Sequence, residues 1–378
     1  MFELTETQQL VQQAARGYAQ KFLAPVAAAL DREARFPVEQ LRALAELGLM
    51  GVNVPEELGG AQAGAVAYVL AMMEVAQGCA STAVTMAVNN MVAETIVRFG
   101  SAEQKQRYVP EITSGRFAAG SYALSEPHSG SDAGSLRTSA RKDGEGWVLN
   151  GSKQWITSGD HAGVFIVWAR TGVPGSKGIS CFLVEAGARG LHVGKHEDKM
   201  GLRASSTVPL TFEDLRLPGA AMLGAPGQGF SIAMAALDGG RVGIAAQAVG
   251  IGTAALDAAV RYARDRQAFG QPIANFQAVR FMLADAATEL EAARLLVLHA
   301  AGLKEAGRPF TREASMAKVF ATEKANKTCD VGVQIHGGYG YLDEFPAERH
   351  YRDARVTTIY EGTSEVQRIV IAREVLKD

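Results

Sequence analysis

Apolar positions along the chain follow two rhythms, and the change between them divides it into three parts. From residue 1 to about 117 the rhythm is helical. Leu10, Val11, Ala14, Ala15, Tyr18 and Phe22 recur at the three- and four-residue spacing of one helix face. Thr5 followed three residues later by Gln8 has the form of a capping box, which places a helix start there. Pro37 suits a first helical position, Leu41, Leu44 and Leu47 form a stripe behind it, and Gly48 marks its stop. Residues 64–77 and 81–99 repeat the helical pattern.

Near residue 118 the rhythm changes. Trp147-Val148-Leu149, the pair Asn150-Gly151 and Gln154-Trp155-Ile156-Thr157 predict two strands joined by a tight turn. Val164–Ala169 and Ile179–Val184 are short apolar runs bounded by Gly and Pro. Thr207–Phe212 contains Pro209 and reads as an edge strand, because proline lacks the ladder donor. A β domain over 118–225 follows. Beyond it helices return: Val279, Met282, Leu283, Ala286, Leu290, Ala293 and Val297 form one stripe, and residues 311–335 and 363–376 carry others. Long consecutive helices with short polar joints predict a bundle.

Composition narrows the classes. At about 150 residues per domain, 378 residues allow two or three domains, and 47% hydrophobic content supplies a sizeable core. Lys+Arg 38 against Asp+Glu 40 leaves no broad basic surface for nucleic acid. Cys79, Cys181 and Cys329 lie far apart with no CxxC, which excludes zinc ribbons and thioredoxin-like sites. So sparse and odd a count suits the reducing cytoplasm, the expected location. Glu3 and Glu6 precede the first basic residue, Arg16, so the N-terminus does not read as a signal peptide. The charge-free stretches 75–93 and 217–237 are interrupted by polar residues and Gly, and neither is expected to span a membrane.

Two fingerprints are set aside. Gly250-Ile-Gly252-Thr-Ala-Ala255 matches a dinucleotide motif but has helical flanks on both sides, so it reads as close helix packing. His192 and His196 have zinc-protease spacing, yet Gly190 and Gly194 break any helix there, and no metal site is expected.

Four segments can carry chemistry. Tyr122-Ala123-Leu124-Ser125 followed by Glu126-Pro127-His128-Ser129-Gly130-Ser131-Asp132 is a polar turn after an apolar run. Its N–H groups and hydroxyls can bind a planar cofactor edge or a phosphate, or form an ordinary surface turn. Trp155-Ile156-Thr157 sets an aromatic beside a hydroxyl, either flanking a flavin or packing a core. Gln334-Ile335-His336-Gly337-Gly338 ends a helix on adjacent glycines, which suits close ligand approach or a plain C-cap. Tyr360-Glu361-Gly362-Thr363-Ser364-Glu365 follows an apolar residue. Glu361 is a candidate general base, because desolvation raises a carboxylate's pKa, or else a carboxylate favourably placed near a helix N-terminus.

In this order and spacing the segments resemble the acyl-CoA dehydrogenase family over nearly the whole chain. Val54-Pro-Glu-Glu-Leu-Gly-Gly60, Leu124-Ser-Glu-Pro127, Trp155-Ile-Thr157, Arg266-Gln-Ala-Phe-Gly270, Gln334-Ile-His-Gly-Gly338 and Tyr360-Glu-Gly-Thr-Ser364 carry the resemblance. Ala236–Gly243 and Pro346–Arg355 look like the short-chain, butyryl-CoA branch.

The resemblance implies an α+β multidomain fold: a helical domain (1–117), a β-barrel-like domain (118–225) and a C-terminal four-helix bundle (226–378). It also implies bound FAD, a homotetramer and an electron-transferring flavoprotein as acceptor. On this likeness Tyr122, Ala123, Leu124, Ser125, Gly130 and Ser131 line the flavin with Trp155, Ile156 and Thr157. Arg266, Phe269 and Gln277 would reach the FAD of a neighbouring subunit, as would Gln334, Ile335, His336, Gly337 and Gly338. An arginine suits the pyrophosphate through its planar, permanently charged fork. Thr363, Ser364 and Glu365 would sit by the adenine-side phosphates. Ser131, Asp238, Gly239, Gly240, Arg241, Tyr360 and Gly362 would contact the thioester substrate.

The implied reaction is α,β-dehydrogenation of an acyl-CoA to a trans-2-enoyl-CoA. Glu361 would take the α-proton while a hydride leaves the β-carbon for flavin N5. The Glu361 N–H and a ribityl hydroxyl would bind the thioester oxygen. Some relatives carry the base just before the arginine of the Asp-x-x-Arg segment; here that place is Gly240. The family turn usually runs Glu-Pro-Gly-Ala-Gly, where this chain has His128 and Ser129. A positive φ at His128 would be strained, and its side chain is expected to point to solvent. Medium-chain or branched-chain specificity, an acyl-CoA oxidase, and a non-catalytic acyl-CoA or flavin-binding scaffold are the alternatives.

Overall fold

The computed structural model describes residues 3–377. Six helices open the chain: α1 (Glu6–Tyr18), α2 (Ala24–Arg32), α3 (Val38–Glu46), α4 (Ala65–Gly78), α5 (Ala80–Phe99) and α6 (Ala102–Thr113). Thr5 and Gln8 close the expected capping box, and Ser101 with Gln104 closes a second one. A π-helical turn, Ala19–Leu23, joins α1 to α2. Pro37 caps α3 rather than beginning it, one residue from the expected start. Helices α4 and α5 are buried over almost their whole length, so apolar residues occur on every face of each.

Eight strands form one sheet: β1 (Ala119–Ala123), β2 (Ser139–Asp143), β3 (Gly146–Thr157), β4 (Ala162–Arg170), β5 (Ile179–Glu185), β6 (Leu191–Val193), β7 (Thr207–Leu217) and β8 (Met222–Leu223). Their order is β6-β7-β3-β2-β4-β5-β8, with β1 added in parallel to β4.

Two strand expectations are corrected. Asn150-Gly151 is not a turn but lies inside β3, where the pairing with β7 shifts register. Gly151 has φ 144°, and a Cβ there would lie 2.7 Å from the Thr138 Cα, so the glycine permits a bulge against the residue that leads into the neighbouring β2. The hairpin comes earlier, between β2 and β3, at Asp143–Gly146. Nor is β7 at the sheet edge: it lies between β3 and β6. Pro209 is tolerated because a second register shift, between Lys153 and Ile156, leaves it outside the β3–β7 ladder.

Helices α7 (Gly229–Asp265), α8 (Gln277–Glu305), α9 (Thr311–His336), α10 (Ala347–Arg355) and α11 (Ser364–Val375) complete the chain. A small hairpin, β9 (Gln267–Ala268) and β10 (Gln271–Pro272), links α7 to α8. By length and composition α7 could cross a membrane, yet 78% of its most apolar stretch is buried against other helices. Gly250 and Gly252 let it pack closely, since a Cβ would strike the Met73 carbonyl at the first and lie 2.6 Å from Leu290 Cδ2 at the second. The dinucleotide-like motif is therefore helix packing. His192 lies inside β6, so it shares no helix face with His196, and no metal-binding group of His, Cys, Asp or Glu exists among the described residues.

Sheet and helices are tied at the start of α7. The Trp168 indole on β4 donates to the Gly229 carbonyl at 2.7 Å, and the Asn89 side chain on α5 accepts from the Gly120 N–H at 2.6 Å. These bonds fix β1, α5 and α7 around one space, which holds the site.

Candidate active site

Glu361 lies in the turn between α10 and α11 with φ 54°. A non-glycine residue pays roughly 1–3 kcal/mol for that conformation. Two buried side chains hold it. Lys318 on α9 donates to the Gly362 carbonyl at 2.7 Å. Gln367 on α11 donates to the carbonyls of Glu361 (3.1 Å) and Gly362 (2.9 Å). The Glu361 N–H has no acceptor among the described residues, which leaves a donor free for an incoming oxygen.

The Glu361 side chain reaches toward α7. Its Oε2 is shielded from solvent and has no hydrogen-bond partner. Burial pushes the carboxyl up to about 7, against the downward pull of the Arg241 and Lys318 cations. Burial brings Lys318 down to about 8, partly offset by the Glu361 charge.

Around this carboxylate stand several of the residues singled out above. Arg241, buried on α7, donates to Asp238 at 2.6 Å, and the Thr311 hydroxyl donates to the other Asp238 oxygen at 2.7 Å. The Tyr360 hydroxyl donates to Gln247, whose amide donates to the Ala80 carbonyl at 2.9 Å. The Tyr122 ring packs on Trp168 with centroids 4.3 Å apart, and its hydroxyl donates to the Ala233 carbonyl at 3.2 Å. Burial holds the Tyr122 phenol well above the usual tyrosine range, and the nearby Glu361 charge adds to this. Thr363 caps α11 by accepting from the Val366 N–H, while the Ser364 hydroxyl is buried without a partner and Glu365 is exposed.

The turn after β1 is fixed from beneath. Lys153, fully buried on β3, lies 2.8 Å from Glu126 and donates to the Leu124 carbonyl at 3.1 Å. Glu126 also accepts from the N–H groups of Arg137 (2.6 Å) and Thr138 (3.0 Å). Gln154 N–H donates to the Ser125 carbonyl, and Gly130 and Ser131 are exposed. His128 is not in the left-handed region, so the anticipated strain does not arise. Its side chain does not simply point to solvent: Nε2 lies 3.6 Å from the Glu126 carboxylate, with the side chain 34% exposed. Trp155, at φ 63°, is 61% exposed, while Ile156 is buried and the Thr157 carbonyl accepts from Ser121 at 2.7 Å.

The remaining candidates gather elsewhere. Arg266, Ile335, His336, Gly337 and Gly338 line a cavity of about 610 Å³ with Tyr262 and Tyr339. Arg266 lies over the Tyr339 ring, and Phe269 in the β9–β10 hairpin is 96% exposed. Gln277 begins α8, and Gln334 is exposed near the end of α9. This group is roughly 37 Å from Arg241 along α7, at 1.5 Å per residue. Within one chain the two groups do not meet.

Sequence reasoning missed Lys318, Gln367, Gln247 and Tyr68, a buried residue of α4 that lines a cavity beside Gly240. A signal existed for one of them: Lys318 interrupts the small apolar stripe Ala314, Ala317, Ala321, Ala325 on α9. A second cavity, of about 650 Å³, runs from Gly240 between α5 and α7 to the α8–α9 connection.

A sheet held between two helical parts, with one shielded carboxylate across Gly240 from a cavity of about 650 Å³, suits an enzyme that handles an extended substrate. The N-terminal, middle and C-terminal domains of acyl-CoA dehydrogenases match residues 5–116, 121–215 and 227–376. A mitochondrial short-chain specific acyl-CoA dehydrogenase of Bos taurus is 54% identical over 99% of this chain and 91% of its own. The butyryl-CoA dehydrogenase structure from Megasphaera elsdenii superposes with TM-score 0.97 at 41% identity, covering both chains fully. A chain from a structure described as the electron transferring flavoprotein of Acidaminococcus fermentans gives 0.98 at 45% identity, again over both whole chains. The chain belongs to the acyl-CoA dehydrogenase family of oxidoreductases.

Proposed function

We propose that this protein is an FAD-dependent dehydrogenase of short-chain acyl-CoA thioesters that passes electrons to an electron-transferring flavoprotein. The observation that carries the reading is Glu361: a shielded carboxyl tuned to about 7 beside its own unpaired N–H. The bovine and Megasphaera relatives support a short acyl chain, and the Acidaminococcus structure supports the acceptor.

The residues present fit a flavin. Ser364 Oγ and Gln367 Oε1 are buried without partners beside the Glu361 turn. Nothing lies within 4 Å of where a Cβ on Gly130 would sit, and the Trp155 indole is largely uncovered. Tyr122–Ser125, Gly130, Ser131 and Trp155–Thr157 would hold the ring system, with Thr363–Glu365 toward the phosphates. The distant group at Arg266, Phe269, Gln277 and Gln334–Gly338 would serve the cofactor of a second copy, which supports an oligomer; the tetramer follows the family likeness. The bound flavin supplies the two-electron acceptor for the hydride of the β-carbon.

The chain supplies the rest. A carboxylate with ordinary pKa near 4.5 is a weak base toward an α-carbon; raising Glu361 to about 7 strengthens it while leaving roughly half of it ionised near neutral pH. Glu361 takes the α-proton, and its N–H donates to the thioester oxygen as charge develops there. Asp238–Arg241, Tyr360 and Gly362 would line the thioester, and the acyl chain would exclude water from the carboxylate.

The test is turnover of butyryl-CoA with electron-transferring flavoprotein and mass analysis of the product. Loss of two hydrogens to trans-2-butenoyl-CoA, with slower turnover of octanoyl- and isobutyryl-CoA, is expected. Absence of product would contradict the reading. The three buried thiols suit a reducing compartment, and we place the protein in the cytoplasm; cell fractionation tests that.

A further inference from the structure

Gly239 and Gly240 are consecutive on α7 and face different partners across the same cavity. A Cβ on Gly240 would lie 2.6 Å from Glu361 Oε2; one on Gly239 would lie 3.4 Å from Lys304 Nζ. A substrate with its reacting carbon at Glu361 therefore meets Lys304 next.

Lys304 lies in the last turn of α8 and is held from across the cavity. Its ammonium lies 2.6 Å from Glu94 on α5, and Glu94 also accepts from the Asn53 amide at 2.8 Å. Both charged side chains are largely covered, 21% and 25% exposed. Glu94 spends one oxygen on each partner, whereas Lys304 makes a single hydrogen bond and keeps two N–H groups without acceptors among the described residues. The pair thus offers donors to the cavity. Asp238, the other carboxylate lining it, is already engaged by Arg241 and Thr311.

An apolar acyl tail gains nothing from this wall, because covering an ion pair without new hydrogen bonds costs desolvation. A chain bearing amide carbonyls gains a charge-assisted bond. We infer that Lys304 is a binding residue for the amide-bearing arm of the CoA thioester, with Glu94 and Asn53 as its positioning residues. This rests on reading the site as an acyl-CoA pocket.

The experiment compares kcat and KM of the FAD-loaded wild type, Lys304→Met and Lys304→Arg, on butyryl-CoA and on butyryl-pantetheine, which keeps both amides but lacks the nucleotide. For Lys304→Met, KM rises about tenfold on both substrates, a change of about 1.4 kcal/mol, with kcat within about twofold. Lys304→Arg, which preserves the charge and its donors, recovers most of the KM. An unchanged KM overturns the assignment. A rise confined to butyryl-CoA overturns it too, since Lys304 would then serve the nucleotide's phosphates. A parallel loss of kcat and FAD content would mark a structural role instead. If the wild type oxidises neither thioester while holding FAD, the acyl-CoA reading itself falls.

Discussion

Gly240 and Glu361 occupy one space between them: a side chain at 240 would begin 2.6 Å from the Glu361 carboxylate oxygen and 3.0 Å from Met91 Sδ. The absence of a Cβ on α7 is what lets the base reach in from the far turn. Gly240→Ala should push the carboxylate aside without disturbing the fold. A misplacement of about 1 Å can cost roughly 100-fold in rate, so kcat should fall by about that factor while FAD content is unchanged. Steady-state kinetics with a flavin spectrum checks both.

The shifted carboxyl sets a pH dependence. Glu361 must be ionised to accept a proton, and burial places its titration at about 7. For the free enzyme, kcat/KM should rise as pH increases through about 7 and level off above it. Stability should run the other way. Glu361 and Asp353, also raised by burial to about 7, bind protons in the folded state that the unfolded chain has already released. Conformational stability contributed by these groups should decline as pH rises from the ordinary carboxylate range toward 7. Denaturant midpoints across pH 4–8 measure the sign.

Lys318 links the two effects. It supports the strained Glu361 turn through the Gly362 carbonyl and lowers the Glu361 pKa through its charge. Lys318→Met should move the kcat/KM profile to higher pH and lower the thermal midpoint. Losing one of the two donors to the Gly362 carbonyl, with Gln367 remaining, costs about 0.5–1.5 kcal/mol. A profile that stays in place would separate Lys318 from the base.

Much of this was legible in the sequence. The shift from helical to strand rhythm near residue 118 and back near 226 gave three parts, and Glu361 stood out by its motif. The Asn150-Gly151 turn was misread because an Asn-Gly pair signals a hairpin equally well when its glycine instead makes a bulge against Thr138. Lys318, Gln367 and Tyr68 were invisible for another reason. Each comes from a helix whose neighbours are core residues, and only the packing of α4, α9 and α11 about Glu361 turns them inward. The separation of Arg266 and Gln334–Gly338 from Glu361 needs the full length of α7, which no local pattern encodes.

Cofactor removal should be costly in stability. Trp155, with 61% exposure, belongs to a surface a flavin would cover. The FAD-free protein should melt lower than the loaded one, and excess FAD at 100 times its Kd should restore about 2.7 kcal/mol. Equal melting temperatures would contradict the placement of the cofactor.

The most direct test is an anaerobic titration of the FAD-loaded protein with butyryl-CoA, run in parallel on Glu361→Gln. Bleaching of the flavin absorbance near one equivalent per site is expected for the wild type. The variant, with an amide that cannot take the α-proton, should keep its FAD and bleach at least about 1,000-fold more slowly. Bleaching of Glu361→Gln at the wild-type rate would contradict Glu361 as the base, and a wild type that holds FAD yet never bleaches would contradict the dehydrogenase itself.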